Sequence, residues 1–297
     1  MTPTTESTTV PDATPGRASG FATWRAQALA FARRSVRELF RNRPVLFWSV
    51  AFPVGFYLLT ITVFVDTSAV PADAVPYVKA GTAVSYGMFG AIIASLNAFG
   101  QQLAVDLERD RYRLYRSLPL APSADLAGRM VAGVALAALA LVAALGTAIL
   151  TGATFSLRAA TSLPVIAVAF VTFAVVWMVA AVLIATVVRE SRYASIITVS
   201  IALAAYFLTG YNGGDPAAFQ GPHVLLNWLP NTLASRLVTH HLVVVPGDLA
   251  AAGATGSSLP VPGDAFGLAV LGGTALVSLV VGVAVLRRGI YKQGVAP

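Results

Sequence analysis

The stretch Leu163-Pro-Val-Ile-Ala-Val-Ala-Phe-Val-Thr-Phe-Ala-Val-Val-Trp-Met-Val-Ala-Ala-Val-Leu-Ile-Ala-Thr-Val187 contains no Asp, Glu, Lys, Arg or His. A helix needs about 20 apolar residues to cross the hydrocarbon of a bilayer. This run is long enough, and Pro164 falls in the first turn, where a missing N–H does no harm. It predicts a membrane-spanning helix. Five further windows share its character: 45–65, 80–104, 130–152, 194–212 and 265–286. None contains an ionisable Asp, Glu, Lys, Arg or His.

The composition agrees with that reading. Of 297 residues, 57% are hydrophobic and 11% charged, with a mean hydropathy of +0.74. A soluble domain normally carries roughly a quarter charged residues. The bilayer is therefore the solvent for much of the surface. Cysteine is absent, which excludes disulfides, thiol catalysis and Cys-based zinc sites.

The charges between the windows set the orientation. Arg17, Arg25, Arg33, Arg34, Arg37, Arg41 and Arg43 precede the first span. Arg109, Arg111, Arg113, Arg116 and Arg129 follow the second, Arg189 and Arg192 the fourth, and Arg287, Arg288 and Lys292 the sixth. These connections alternate, so they share one side. The other side holds Lys79, Arg158 and Arg236, with Asp66, Asp73, Asp215, Asp248 and Asp264. Seventeen basic residues against three is a positive-inside pattern. It predicts both termini in the cytoplasm of a multi-pass plasma-membrane protein. It also explains the net charge of +7 without nucleic acid, because the arginines sit between apolar runs and form no soluble patch.

The remaining segments are less regular. Residues 1–20 lack periodicity and predict a disordered cytoplasmic tail, and 292–297 predict a short cytoplasmic tail. Residues 21–43 predict an amphipathic helix. One face carries Phe21, Trp24, Ala28, Phe31, Ser35, Val36 and Leu39, and Arg33, Arg34, Arg37 and Arg41 lie opposite. Such a helix suits a membrane–water interface, or alternatively the surface of a soluble partner. Residues 44–291 form the transmembrane domain. Within it, 213–264 is broken by glycines and prolines and carries two modest apolar stretches, Val224–Leu229 and Leu233–Val245. These predict short re-entrant or interfacial helices between spans five and six. Non-helical backbone at that depth must be buried in protein or wetted by a cavity. In the third span Gly133, Ala137, Ala140, Ala144 and Ala148 place small residues at near-fourfold spacing. This permits close helix approach, unless the stripe simply faces lipid.

The residues point away from chemistry on this chain. Charge-free spans offer no proton or ion relay. No G-x-x-x-x-G-K-[ST] is present, so no phosphate-cradling loop. H-E-x-x-H and G-x-S-x-G are absent too. His240 and His241 are adjacent and project from different helix faces, which argues against a shared metal site. Energy for uphill movement would have to come from a separate protein. The natural place for it is the connection Asp106-Leu-Glu-Arg-Asp-Arg-Tyr-Arg-Leu-Tyr-Arg-Ser-Leu-Pro-Leu-Ala-Pro-Ser123. Asp106 can pair with Arg109 and Asp110 with Arg113, and Pro119 and Pro122 end the helix. The alternative is a solvated charge run that only fixes topology.

Three features resemble the ABC-2 type permeases, the membrane subunits of ABC exporters. The basic amphipathic helix ends in Arg41-Asn-Arg-Pro44 before span one. The connection after span two is similar to the family's coupling region, although Arg111-Tyr112 stand where Gly-Thr is usual. Thr209-Gly-Tyr and Trp228-Leu-Pro-Asn-Thr resemble its outer re-entrant segment. The resemblance implies an all-α transmembrane domain with six spans and an interfacial N-terminal helix. It implies a separate ATPase subunit carrying ATP and magnesium, with no cofactor on this chain and no catalytic residue. Glu108, Arg109, Arg113 and Arg116 would face that ATPase, and Pro119 and Pro122 would shape the turn. Two copies, or this chain and a similar permease, would enclose the path. Phe52, Phe56, Tyr86, Phe89, Phe99 and Tyr206 are the candidate lining for a hydrophobic or amphipathic cargo such as a drug or lipid. A non-transporting membrane scaffold or an intramembrane enzyme is the rival from another class.

Overall fold

The computed structural model describes residues 20–65, 70–108, 120–188, 191–208, 222–247, 249 and 261–286. Among the described residues every regular element is helical. The elements are α1 (Gly20–Arg41), α2 (Arg43–Phe64), α3 (Val75–Glu108), α4 (Pro122–Leu150), α5 (Ser162–Val187), α6 (Ser191–Leu208), α7 (Pro230–Leu242) and α8 (Asp264–Leu286). A 3₁₀ turn at His223–Asn227 precedes α7.

Five of these are long and apolar enough to cross a membrane: α2, α3, α4, α5 and α8. The expected span 194–212 is different. Its described helix, α6, has 18 residues, of which Ile196–Leu208 is the apolar part, and 209–212 lie outside the described residues. At 1.5 Å per residue, 18 residues reach roughly 27 Å, close to the hydrocarbon thickness of about 30 Å. The 34 residues of α3 reach roughly 51 Å and so overhang the hydrocarbon.

Helix α3 is the axis of the molecule. It packs against α2, α4, α5, α6 and α7, and its spanning segment is buried throughout. Between apolar helices in lipid, association rests on close packing more than on a hydrophobic drive. The small residues of α4 supply it. Ala137, Ala140, Ala144 and Ala148 are buried, while Val131, Val142 and Ile149 face outward. The stripe is a packing surface and not a lipid face. Helix α4 ends at Gly152, whose φ of +88° lets Ala153 N–H reach back to the Ala148 carbonyl at 2.9 Å.

Helix α2 is not uniform. Pro53 has no N–H to give the Ser49 carbonyl. The preceding turn, Phe47–Ala51, widens to π geometry, and so does Thr60–Phe64 at the far end. The Ser49 carbonyl lies where a Cβ on Gly90 of α3 would be 2.8 Å away, so glycine is required at that crossing.

Helix α1 is amphipathic as expected, but its apolar face meets protein. Ala32, Ser35 and Leu39 are buried, and α1 lies along α4. The contact is close at Gly128, where a Cβ would stand 2.6 Å from Phe31 Cβ and 2.7 Å from the Ala28 carbonyl. The large apolar residues of α1 left exposed are Phe21, Leu29 and Phe40. Within 213–264, α7 has only 13 residues and is buried among α3, α5 and α8.

Candidate functional site

Two polar clusters and one aromatic array stand out. The first cluster lies at the feet of α3 and α4, which flank the connection 109–119. Arg129 on the second turn of α4 donates through Nε to Asp125 Oδ1 at 2.8 Å and through Nη2 to Asp106 on the last turns of α3. All three side chains are buried, at 4–8% exposure. The Asp125–Arg129 spacing of four places both on one face of α4. Asp106 therefore pairs across helices with Arg129, and the expected local partner, Arg109, lies outside the described residues. Helix α1 holds the same foot. Trp24 Nε1–H donates to Ser123 Oγ at 3.0 Å, and Gln27 Oε1 accepts the Ala121 N–H at 2.9 Å.

Of the residues expected to meet a partner, Glu108 is exposed at the end of α3 and Pro122 opens α4. Arg109, Arg113, Arg116 and Pro119 lie outside the described residues. On α1, Arg33, Arg37 and Arg41 are exposed, Arg34 pairs with Glu38 at 2.9 Å, and Trp24 and Phe31 are half-buried toward α4.

The aromatic array joins α2, α3 and α6. Ring centroids run Trp48–Phe52 at 4.9 Å, Phe52–Phe56 at 4.6 Å, Phe56–Tyr86 at 6.4 Å, Tyr86–Tyr206 at 5.7 Å and Phe89–Tyr206 at 4.4 Å. Tilted rings at such distances attract beyond their area. The two tyrosine hydroxyls are satisfied, Tyr86 by Thr60 at 2.7 Å and Tyr206 by Ser85 at 3.0 Å. Five of the six expected lining residues thus form one surface. Phe52 and Phe56 are its half-exposed part, and Tyr86, Phe89 and Tyr206 are buried beneath them. Phe99 is apart. It borders a small gap between α3, α4, α5 and α8, beside Met130, Met178 and Val182.

The second polar cluster is at the opposite end of the bundle. His241 on α7 is buried, with Nδ1 3.0 Å from Ser162 Oγ and Nε2 3.0 Å from Asp264 Oδ1. Ser162 opens α5 and Asp264 opens α8, so one imidazole ties three helices. A Ser-His-Asp set invites comparison with a hydrolytic triad. The serine here is fully buried, and its oxygen also accepts the Ala159 N–H at 3.0 Å. No substrate carbonyl can reach it, so the set is a structural clasp. Beside it, Arg158 Nε donates to the His240 carbonyl at 2.9 Å. Burial and then the Arg158 and His241 charges hold the His240 imidazole below its usual range, against a smaller opposing effect of Asp264. Among the described residues no group of three or more His, Cys, Asp or Glu is placed to hold a metal.

The family profile described as ABC-2 type transporter matches residues 26–212. The chain belongs to the ABC-2 type transporter family. It is a multi-pass membrane protein and a transport permease, not itself a catalyst. A comparison with curated proteins finds no match. In this ABC-2 permease the matched segment begins within α1 and runs through α6. It therefore contains both the buried Asp106–Arg129–Asp125 cluster and the aromatic array. Helices α7 and α8 lie beyond the match, and the His241 clasp joins them to α5. Sequence reasoning missed both polar clusters. Spacing of four signals Asp125–Arg129, but nothing in the sequence marks Asp106 as the partner of Arg129, or Ser162 and Asp264 as the partners of His241.

Proposed function

We propose that this chain is one permease subunit of an ATP-driven exporter, with six spans counting α6 and both termini in the cytoplasm. A separate ATPase, carrying ATP and magnesium, docks on the connection between α3 and α4 through Glu108, Arg109, Arg113 and Arg116. Helix α1 rests at the membrane–water interface. Two copies, or this chain and a similar permease, enclose a path for a hydrophobic or amphipathic cargo such as a drug or lipid-like molecule. The aromatic surface of α2, α3 and α6 contributes to its wall.

The observation that carries this reading is the buried Asp106–Arg129–Asp125 cluster. A push on a connection between helices moves them only if its ends are fixed to rigid elements. Here both ends are fixed to one another by charge-assisted bonds in a dry setting, where they are strong. Movement of the connection would therefore displace α3 and α4 together. Helix α3 touches α2, α5, α6 and α7, so the displacement would reach the aromatic surface.

The test is capture of a P-loop ATPase by the full-length permease in mild detergent. An ATPase should co-purify, and Arg113→Glu with Arg116→Glu should reduce its recovery at least tenfold while insertion is unchanged. Unchanged recovery would remove the docking assignment. Absence of any ATPase in the wild-type capture would remove the energy source and with it the exporter reading.

A further inference from the structure

The corner between α1 and α2 holds a concave opening of about 790 Å³. Arg34, Arg37 and Arg41 reach it from one face of α1, and Arg43 reaches it from the start of α2. Glu38 and Asn42 complete the lining. Four guanidinium groups against one carboxylate make it strongly cationic. Glu38 is engaged by Arg34 at 2.9 Å. The shape is fixed by the turn itself, since Asn42 Oδ1 accepts the Val45 N–H at 3.4 Å and Pro44 sits in the first turn of α2.

Depth decides the occupant. Helix α2 is a spanning helix from Arg43 to Phe64, and the chain is apolar from Val45 onward. The opening therefore lies where hydrocarbon gives way to headgroups. Phe40, Phe47 and Trp48 are exposed immediately around the corner in the chain, at 40–53%. An amphiphile with an anionic head fits both halves of this arrangement. Its phosphodiester would take the forked donors of Arg37, Arg41 and Arg43, and its chains would lie against the exposed aromatics.

We propose that the α1–α2 corner is a binding site for an anionic glycerophospholipid, recognised by its phosphodiester headgroup. The site depends on α2 spanning the membrane and not on the ATPase coupling proposed above, so either can fail alone. A bound lipid would fix the angle between α1 and α2, and so the seat of α1 on α4.

Native mass spectrometry of the full-length protein tests this, with phosphatidylglycerol and phosphatidylcholine of identical chains offered in equal amounts. Phosphatidylglycerol should be retained in preference. Each arginine near a membrane surface is worth about fivefold in anionic-lipid affinity, so Arg37→Gln, Arg41→Gln and Arg43→Gln together should lower retention by on the order of a hundredfold. Lysine at the same three positions keeps the charge but not the forked donors, so retention should fall between the wild type and the glutamine variant, which separates loss of charge from loss of fold. Arg25→Gln with Arg33→Gln, outside the opening, should leave the preference intact. Millimolar inorganic phosphate should not displace the lipid. Equal retention of the two lipids, an equal loss in the Arg25/Arg33 variant, displacement by free phosphate, or binding of an acidic peptide in place of lipid would each overturn the proposal.

Discussion

Arg129 holds two buried carboxylates at once, so losing it leaves both without their cation. Removing one member of a buried ion pair strands the other without solvent, at about 3–5 kcal/mol. Arg129→Met should therefore lower the thermal midpoint in detergent by an amount that no exposed arginine matches. Replacing all three with apolar residues, Asp106→Leu, Asp125→Leu and Arg129→Met, should recover much of that loss, since a well-packed apolar set often equals a buried ionic one. Thermal unfolding followed by a fluorescent reporter distinguishes the two variants. If the triple variant is no more stable than the single, the cluster stabilises by some route other than mutual charge satisfaction. At this scale the sequence was only half readable. Asp125 and Arg129 advertise each other by spacing, but Asp106 had a nearer apparent partner in Arg109. The pairing with Arg129, 23 residues on, becomes visible only in the fold, and Arg109 lies outside the described residues.

Among elements, α1 shows where periodicity informs and where it stops. The pattern of Trp24, Ala28, Phe31, Ser35 and Leu39 correctly marks a helix with one apolar side. It does not say what that side touches. The answer turned on Gly128 of α4, a residue with no chemistry of its own. Without a Cβ it lets the α1 backbone settle against α4. Gly128→Ala should force the helices apart and cost about 1–3 kcal/mol, the usual penalty for overpacking. Hydrogen exchange across residues 24–39 should rise in that variant. Gly146→Ala, on the same helix with open space around it, should leave exchange unchanged. The spans themselves were legible because lipid demands one property over a fixed length. Four windows coincide with helices to within a few residues at most ends. The window 80–104 proved to be the core of a longer helix, since polar residues at its ends can continue a helix beyond the hydrocarbon. The window 194–212 overlaps a helix, α6, that ends at Leu208 among the described residues and whose first turn is polar, Ser191-Arg-Tyr. The 3₁₀ turn and α7 were anticipated as short helices from their prolines, but their burial among α3, α5 and α8 could not be read from composition.

For the whole molecule, arginine placement is what predicts a topology from the sequence, and five of the six windows fall on helices long and apolar enough to span. Of six aromatic residues named from the sequence, the fold gathers five into one array. Phe52, Phe56, Tyr86, Phe89 and Tyr206 were candidates as large apolar residues, and Phe99 shared that property while lying on another side of the same helix. Residue type cannot assign a side; the neighbours of α3 do. Those neighbours also bear on biogenesis. Helix α3 carries Lys79, Thr82, Ser85, Ser95, Asn97 and Asp106, and it is the least apolar of the five long spans. In the folded protein Thr82, Ser85, Ser95, Asn97 and Asp106 are buried against neighbouring helices, and half-buried Lys79 donates to the Thr151 carbonyl at 2.8 Å. A nascent chain has no such shelter, and polar side chains make lone entry into a bilayer marginal. The translocation channel must then retain this segment until later helices emerge to receive it. A chain truncated at residue 121 should leave the connection after α3 on the wrong side of microsomal membranes, where an engineered glycosylation site would be modified. Extending the chain through Leu150 should reduce that modification, and extending it through Leu208 should abolish it. Full insertion of the shortest chain would mean that α3 enters the bilayer unaided.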